Sequence, residues 1–472
     1  MRMDARDALF LYLERENVTQ SFVTSFVFFP TESGAPAPGR EDIVEWLSER
    51  LEALPTLRDR VIRVPFDLAV PRLCRDVEFD IGRHLVFHDI DDWDSLREVV
   101  PELISRRMDP EHPQWRIHIA QDVRGVMGRS DSATVVMMQF HHSIADGQES
   151  VRVAKHLFSS VPAHVNGALS PPVESVPSAA ALAVRAAVSV PWVLGRFLWS
   201  LRTIAVGKRR VREEIARGGY TRGEHASFTA PFTGALGERR RFDCMFLSFP
   251  EVKKVRSSLG HVTINDIFLA IVSLGLSYYL SEREWSTPHS LGATVPVSIR
   301  RIGPAKTAHN QFVVCGVDLH TDVSDPIERV RLIHDSAANS IATAKSPGNI
   351  LIFSALASVP GFVFKKSVAL IGRRQHNNPV TSFHTSISSV PKGEGDWRLG
   401  DAQAVGCFGV ISLEGISGVG HTIDTLGDSA TINITVDPDL FPDVERYREL
   451  LEVAWNDIRT AASAVAAESS AQ

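Results

Sequence analysis

Two histidines beside an Asp-Gly pair are the residues of this chain whose types and spacing best suit chemistry. They lie in the heptapeptide 141–147, His-His-Ser-Ile-Ala-Asp-Gly, which directly follows the apolar run 135–140. A neutral imidazole has an unperturbed pKa of about 6.5 and can accept the proton of an attacking hydroxyl near working pH. Because successive side chains of a strand point to opposite faces, His141 and His142 cannot both face one cleft. The pattern therefore predicts that one of them is a general base acting without a covalent intermediate.

The same residues also allow structural and metal-binding interpretations. The histidines could lie at the edge of a core, bonded to backbone carbonyls, with Asp146 and Gly147 forming a simple turn. Two histidines, an aspartate and a glycine at fixed offsets favour a functional site over that interpretation. A zinc site is disfavoured, because adjacent histidines diverge on a strand and the sequence has neither H-E-x-x-H nor C-x-x-C. We therefore predict no metal. We interpret Asp146 as an anion that holds the loop, and Gly147 as a position where the backbone turns tightly and approaches a ligand.

The heptapeptide resembles the HHxxxDG motif of CoA-dependent acyltransferases. This superfamily includes chloramphenicol acetyltransferase, peptide-synthetase condensation domains and plant acyltransferases. Within it, the chain is most similar to the bacterial wax ester synthase/diacylglycerol acyltransferases, because further segments follow that family's order over nearly the whole length. These segments are 7–11 (DALFL), 55–60 (PTLRDR), 79–81 (FDI) with His84, 113–115 (PQW), 265–266 (ND), 296–300 (PVSIR), Asn310, 390–391 (VP) and 441–443 (FPD).

Three departures from the family pattern bear on substrate choice. Gln114 replaces the usual Leu, His309-Asn310 stands in place of Gly-Asn, and residues 389–393, Ser-Val-Pro-Lys-Gly, replace Asn-Val-Pro-Gly-Pro. None of them touches the proposed base. They therefore leave the identity of the acceptor substrate undecided, but not the class of reaction.

The resemblance implies an α/β fold with two lobes, similar to chloramphenicol acetyltransferase and condensation domains, and a central channel with the histidine motif midway. It suggests an N-terminal lobe over 1–165, a connector with an amphipathic helix over 166–230, and a C-terminal lobe over 231–472. It also implies a long-chain acyl-CoA as co-substrate, no cofactor, and diacylglycerol or a long-chain alcohol as acceptor. In this hypothesis His142 removes the proton of the acceptor hydroxyl as its oxygen attacks the thioester, and the products are triacylglycerol or wax ester.

Several further residues are candidates for supporting this site. Arg300 is expected to pair with Asp146, because a bidentate arginine–carboxylate pair would lock the loop; alternatively, it is a surface arginine at a strand end. Asn265 could serve the cleft, as an oxyanion donor, or complete a helix cap; a backbone N–H beside Gly147 is the other oxyanion candidate. Apolar residues that suit a substrate channel, although core packing is the alternative for each, are Pro113, Trp115, Phe140, Phe268 and Phe383.

The composition limits the class of protein. The chain has 472 residues, a net charge of -6, 44% hydrophobic and 22% charged residues. These values are typical of a folded soluble protein longer than one ordinary core, and they argue against nucleic acid as partner. The four cysteines are widely separated and are predicted to be buried, reduced thiols of a cytosolic protein. The charged N-terminus does not resemble a signal peptide.

Strand and helix patterns alternate along both halves. Ile43, Leu47 and Leu51 recur at helical spacing, and the alternation at 115–119 predicts a strand with one buried face. The segment 190–212 is apolar with tryptophans and a basic flank, which suits either a membrane interface or an interdomain helix. The segment 351–370 is a second candidate for a membrane interface, and its alternative is a buried helix pair beside an acyl tunnel. The expected location is the cytoplasm, with the inner membrane face or lipid droplets as a peripheral site. Two other functions stay open: a condensation-type acyltransferase for another hydroxyl or amine, and a non-catalytic lipid-binding protein.

Overall fold

A computed structural model describes residues 3–15, 17–31, 38–159, 178–218, 220, 225–300 and 308–470. Within these ranges, four short 3-10 turns accompany the regular elements, at Pro55–Arg58, Pro65–Asp67, Ile81–Arg83 and Val126–Gly128. The helices are α1 (Ala5–Leu13), α2 (Arg40–Glu52), α3 (Trp93–Ser105), α4 (Gly147–Phe158), α5 (Ala179–Ala216), α6 (Phe249–Ser258), α7 (Ile264–Glu282), α8 (Pro326–Ala344), α9 (Pro347–Leu356), α10 (Gly361–Asn377) and α11 (Val444–Ser470). The strands are β1 (Ser21–Pro30), β2 (Asp59–Ile62), β3 (Arg72–Arg75), β4 (Leu85–His88), β5 (Trp115–Val123), β6 (Ala133–His141), β7 (Arg241–Ser248), β8 (Gly292–Ser298), β9 (Phe312–Asp318), β10 (Thr385–Gly393), β11 (Arg398–Leu399), β12 (Ala402–Ile411), β13 (Val419–Leu426) and β14 (Ser429–Val436).

The strands form two large mixed sheets and one small hairpin. The first sheet has the order β11-β12-β1-β6-β5-β4, and the second has the order β7-β14-β13-β10-β8-β9. Most neighbours are antiparallel, whereas β4 and β5, β10 and β13, and β10 and β8 run parallel. Helices cover both sheets, so the predicted α/β fold with two lobes is confirmed.

One strand joins the two halves of the chain. β12 belongs to the second half of the sequence, yet it pairs antiparallel with β1, with Val23 opposite Val410. The sequence division assigned all of 231–472 to the second lobe, and the pairing of β11 and β12 within the first sheet corrects this. The other predicted boundary, at residues 165 and 166, lies outside the described residues.

Both faces of the first sheet are covered. All nine residues of β6 are buried, which matches its continuous apolar sequence. The prediction of one buried face for β5 was wrong, because His118 on its polar face is only 4% exposed. The His118 ring bonds to the Gln139 side chain at 3.1 Å. The alternation of buried and exposed residues fails in β5 because helices cover both faces of the sheet. Helices α2 and α4 pack on one face, and α3 packs on the other.

The long helix α7 forms the core of the second lobe. The Thr263 side chain caps it, and the Asp266 carboxylate accepts from the Thr263 N–H at 2.7 Å. Among the described residues α7 is long and apolar enough for a membrane span, but 72% of that window is buried within the protein. Its burial against α8 and α11 explains its apolar composition.

Helix α5 exposes several large apolar side chains. Val188 is 77%, Trp192 55% and Trp199 63% exposed. The four cysteines, in contrast, are all buried and free, as predicted.

Candidate active site

A cavity of about 270 Å³ lies between the two sheets and contains His142. Strand side chains reach it at alternate positions, as a period of two requires. The contributors at alternate positions are Phe22 and Thr24 on β1 with Gln20 directly before it, Thr294, Pro296 and Ser298 on β8, and Ser386, Ser388 and Val390 on β10; Val23 and Ser389 also border the cavity. Because both halves of the chain contribute to the lining, neither lobe contains the site alone.

His142 lies just past the end of β6, at the cavity wall. Its backbone N–H donates to the Gln20 carbonyl at 2.8 Å, which extends the pairing with β1 by one residue. The ring lies between Phe10, at 4.9 Å between centroids, and Phe22, at 4.6 Å. Nδ1 is sealed from solvent, so Nε2 is the nitrogen available to the cavity. Two aromatic rings thus fix the imidazole plane while one nitrogen stays available.

Burial keeps this imidazole neutral. Desolvation lowers the pKa of His142 to about 3, and the neighbouring His141 ring acts in the same direction. A charged imidazolium would lose its hydration in this cavity, whereas the neutral ring loses little. The ring is therefore in the form that can accept a proton across the physiological pH range.

His141 points to the opposite side and does not line the cavity. Its Nδ1 lies 2.7 Å from the Ser143 hydroxyl and accepts from the Ser143 N–H at 3.0 Å. Its Nε2 lies 3.4 Å from Glu14. The side chain is 2% exposed, so His141 ties the heptapeptide to the end of α1.

Asp146 and Arg300 pair as expected, although the geometry differs from a parallel fork. The same Arg300 Nη2 lies 2.6 Å from each Asp146 oxygen and also donates to the His309 carbonyl at 2.9 Å. Asp146 in addition caps α4 by accepting from the Glu149 N–H at 2.8 Å. Burial raises the pKa of Asp146, while the Glu149 amide and Arg300 oppose that shift. Asp146 therefore joins the heptapeptide to both lobes.

Gly147 begins α4 rather than a free turn. A Cβ at this position would lie 2.8 Å from Cγ2 of Val390 and 3.3 Å from its Cγ1. The predicted close approach is thus to strand β10 of the protein itself. Any larger residue would push α4 away from β10 and widen the gap between the lobes.

Asp7 and Asn310, which the sequence marks only by their place in the family order, hold the His142 backbone. The Asn310 side chain donates to the His142 carbonyl at 2.6 Å and to Asp7 at 2.9 Å. Asp7 also accepts from the backbone N–H groups of His309 and Asn310, at 3.1 and 2.9 Å. Their position in family order was the only sequence signal, because long-range pairs leave no local pattern. This network connects α1, the heptapeptide and the segment before β9.

Several predicted site residues lie elsewhere. Asn265 is exposed on the first turn of α7 and does not line the cavity, so its cleft role was wrong. Phe140 and Phe268 are 1% and 0% exposed and belong to the cores of the first and second lobes. Core packing, the alternative interpretation, explains both.

Pro113 and Trp115 also lie away from His142. They border a separate pocket of about 290 Å³ beside His84. The Trp115 indole donates to the Leu57 carbonyl at 2.6 Å and stacks on the His84 ring at 4.3 Å. Phe383 packs instead against Gly316 of β9. None of the predicted apolar channel residues lines the cavity.

Comparisons with known proteins agree with this architecture. The family profile described as "Wax ester synthase/diacylglycerol acyltransferase catalytic domain" matches residues 3–268, and that of the "WS/DGAT C-terminal domain" matches 308–459. A putative diacylglycerol O-acyltransferase of Mycobacterium tuberculosis is 26% identical, over 98% of this chain and 96% of that protein.

Solved structures show the same fold at low identity. The wax ester synthase/diacylglycerol acyltransferase from Marinobacter aquaeolei VT8 has a TM-score of 0.68 and 20% identity, covering 98% of this chain and 100% of that one. The starter condensation domain of rhizomide synthetase has a TM-score of 0.51 and 10% identity, over 98% and 94% of the two chains.

Proposed function

The chain belongs to the wax ester synthase/diacylglycerol acyltransferase family and is an acyltransferase, and on that premise we propose that it moves a long-chain acyl group from acyl-CoA to a hydroxyl acceptor. The acceptor is diacylglycerol, a fatty alcohol or both, and the product is triacylglycerol or wax ester. The observation that carries this proposal is the position of the His142 ring in the wall of a cavity between the lobes, where burial lowers its pKa to about 3.

In this mechanism His142 acts as general base. Nε2 takes the proton of the acceptor hydroxyl while the hydroxyl oxygen attacks the thioester carbonyl carbon. The tetrahedral oxyanion then collapses, the C–S bond breaks, and the proton passes from Nε2 to the leaving CoA thiolate. The atoms balance without a covalent enzyme intermediate, and a neutral ring is needed only at the first step.

General-base action contributes typically about 10²–10⁴-fold, so positioning and oxyanion stabilisation must supply the remaining acceleration. The first amides of α4, at Gly147 and Gln148, are our candidates for the oxyanion donors. Both residues line the cavity, and the first amides of a helix have no acceptor within it. The contact between Gly147 and Val390 keeps this helix start at the cavity wall.

We further propose that the protein works in the cytoplasm at a lipid surface, the inner membrane face or a lipid droplet. Val188, Trp192 and Trp199 are exposed at helical spacing on α5, and the Arg196 guanidinium lies over the Trp192 ring at 4.8 Å. Apolar rings flanked by cations suit the headgroup boundary. A Trp192→Glu, Trp199→Glu double variant should lose flotation with anionic vesicles while retaining its melting temperature; unchanged flotation would contradict the lipid contact.

The reaction is tested by following the free thiol released from palmitoyl-CoA. We expect release that depends on added diacylglycerol or hexadecanol, together with the matching ester by mass spectrometry. Release only with other hydroxyl or amine acceptors would favour the condensation-type alternative, which the altered 389–393 segment supports. Absence of release with every acceptor would overturn the proposal.

A further inference from the structure

The end of the cavity beyond His142 contains a buried ion pair. Lys392 Nζ lies 3.1 Å from Asp424 Oδ1, and their side chains are 3% and 4% exposed. Asp424 Oδ2 also accepts from Asn433 at 2.9 Å. An ammonium group carries three N–H donors. Asp424 is the partner found for Lys392 within the described part of the chain, so the ammonium has donors left for a ligand. Both residues line the cavity.

Unpaired polar groups surround this pair. The Thr24 and Thr422 hydroxyl oxygens are buried and have no hydrogen-bond partner among the described residues. The two residues are 3% and 7% exposed, and both line the cavity. A buried polar group without a partner is unfavourable by the full desolvation penalty. Their collection at one end therefore indicates a ligand with hydrogen-bonding atoms.

The strand pairing brings these groups together. Thr24 lies opposite Gly409 between β1 and β12, while Asp424 lies opposite Val390 between β13 and β10. A Cβ on Gly409 would come within 3.1 Å of Asp424 Oδ2 and 3.8 Å of Thr422 Oγ1. Glycine thus leaves the space in front of these oxygens open.

The cluster lies at a distance from the base. Gln20 pairs with the His142 backbone, and Thr24 follows four residues along the same strand. At about 3.3 Å per residue, the separation is roughly 13 Å. A ligand that reaches both places needs a spacer between its reacting hydroxyl and its second polar group.

We propose that this end of the cavity binds a distal oxygen function of the acceptor, which accepts from Lys392 and bonds to the threonine hydroxyls. The inference rests on the proposed function and names the acceptor class: alcohols that carry a second hydroxyl or carbonyl oxygen beyond a hydrocarbon spacer. The apolar tail of a plain alkanol leaves the ammonium and hydroxyls unsatisfied.

The test compares primary alkanols with α,ω-diols of the same chain lengths, at a fixed concentration of palmitoyl-CoA. We expect one diol length to exceed its alkanol in kcat/KM by roughly tenfold to a hundredfold, after correction for two equivalent hydroxyls, because a hydrogen bond to a charged group is worth that ratio. Lys392→Met, and a Lys392→Met, Asp424→Asn double variant that leaves no unpaired charge, should bring this ratio close to one.

Arg240→Met is the matched control. Arg240 forms a buried pair with Asp437, at 3.5 Å, outside the cavity lining, so its loss tests disruption of a buried pair without altering the diol ratio. Equal rates for diols and alkanols in the wild type, or a diol ratio that survives in the double variant, would overturn the inference while leaving the acyl transfer intact. A rate advantage for an ω-hydroxyacyl-CoA over palmitoyl-CoA, without one for diols over alkanols, would also overturn it, because the distal oxygen would then belong to the acyl donor. Absence of turnover with every acceptor would instead mean that the proposed function has failed.

Discussion

The two histidines at the end of β6 are adjacent in sequence and lie in opposite surroundings. His141 contacts Ser143 and Glu14 and is sealed inside the first lobe. His142 is held by the rings of Phe10 and Phe22, and its Nε2 faces the cavity. The difference shows that one neighbour is fixed by polar contacts and the other by stacking. Stacking positions a ring without occupying the nitrogen that chemistry would use.

The largest expected effect comes from removing the cavity-facing ring. His142→Ala should lower acceptor-dependent turnover by about 10²–10⁴-fold and leave the protein folded, because the heptapeptide is anchored by the His142 backbone, His141 and Asp146. His141→Ala is the matched control, with a smaller loss of turnover. Thiol release and circular dichroism measure both variants. Near-normal turnover in His142→Ala would show that the base is another group.

The second prediction concerns Asp146, which anchors the heptapeptide to Arg300 and to the start of α4. Asp146→Ala removes a buried carboxylate from Arg300 and the cap of α4, so the free energy of unfolding should fall by about 3 kcal/mol. Denaturant unfolding measures this, and turnover should fall with it. Asp146→Asn retains a side chain that can cap α4 but removes the charge, so it distinguishes the contribution of the ion pair from that of the cap. A stability equal to the wild type in Asp146→Ala would contradict the anchoring role.

A smaller effect is expected at the contact between α4 and β10. Gly147→Ala places a methyl group against Val390, and such overpacking typically destabilises by about 1–3 kcal/mol. Val390→Ala should relieve most of this loss, so the two changes should be strongly non-additive in a double-mutant cycle. Additive effects would mean that the strain lies elsewhere.

The smallest predicted effect is the absence of a pH response. Because desolvation lowers the pKa of His142 to about 3, the base is unprotonated above that value and is lost only as pH falls through it. The kcat/KM profile should therefore be flat on its acidic side between about pH 5 and 7. An inflection near the ordinary histidine value of about 6.5 would show that the ring is hydrated in the working enzyme.

The sequence predicted the parts of the molecule that depend on local pattern. Strand β6, the helix over Ile43, Leu47 and Leu51 and the pairing of Asp146 with Arg300 all agree with expectation. Each depends on periodicity or a charged partner in a recognised family segment.

Apolar composition, in contrast, could not distinguish a channel from a core. Phe140 and Phe268 are as apolar as Phe22, yet only Phe22 faces the cavity. By residue type Asn265 could be a cap or a site residue, and its exposed position on α7, away from the cavity, excludes the site role. The contacts of Asp7 with Asn310 span 303 residues, so no local rule predicts them.

The pairing of β12 with β1 in the first sheet has a consequence for folding during translation. β1 is rich in phenylalanine and valine, and one of its edges pairs with a strand that ends only at Ile411. During translation, that edge stays bare until most of the chain has left the ribosome, and a bare apolar edge is a template for aggregation. An N-terminal fragment that stops before Arg398 would therefore lack the partner of its own central strand and should precipitate when expressed alone.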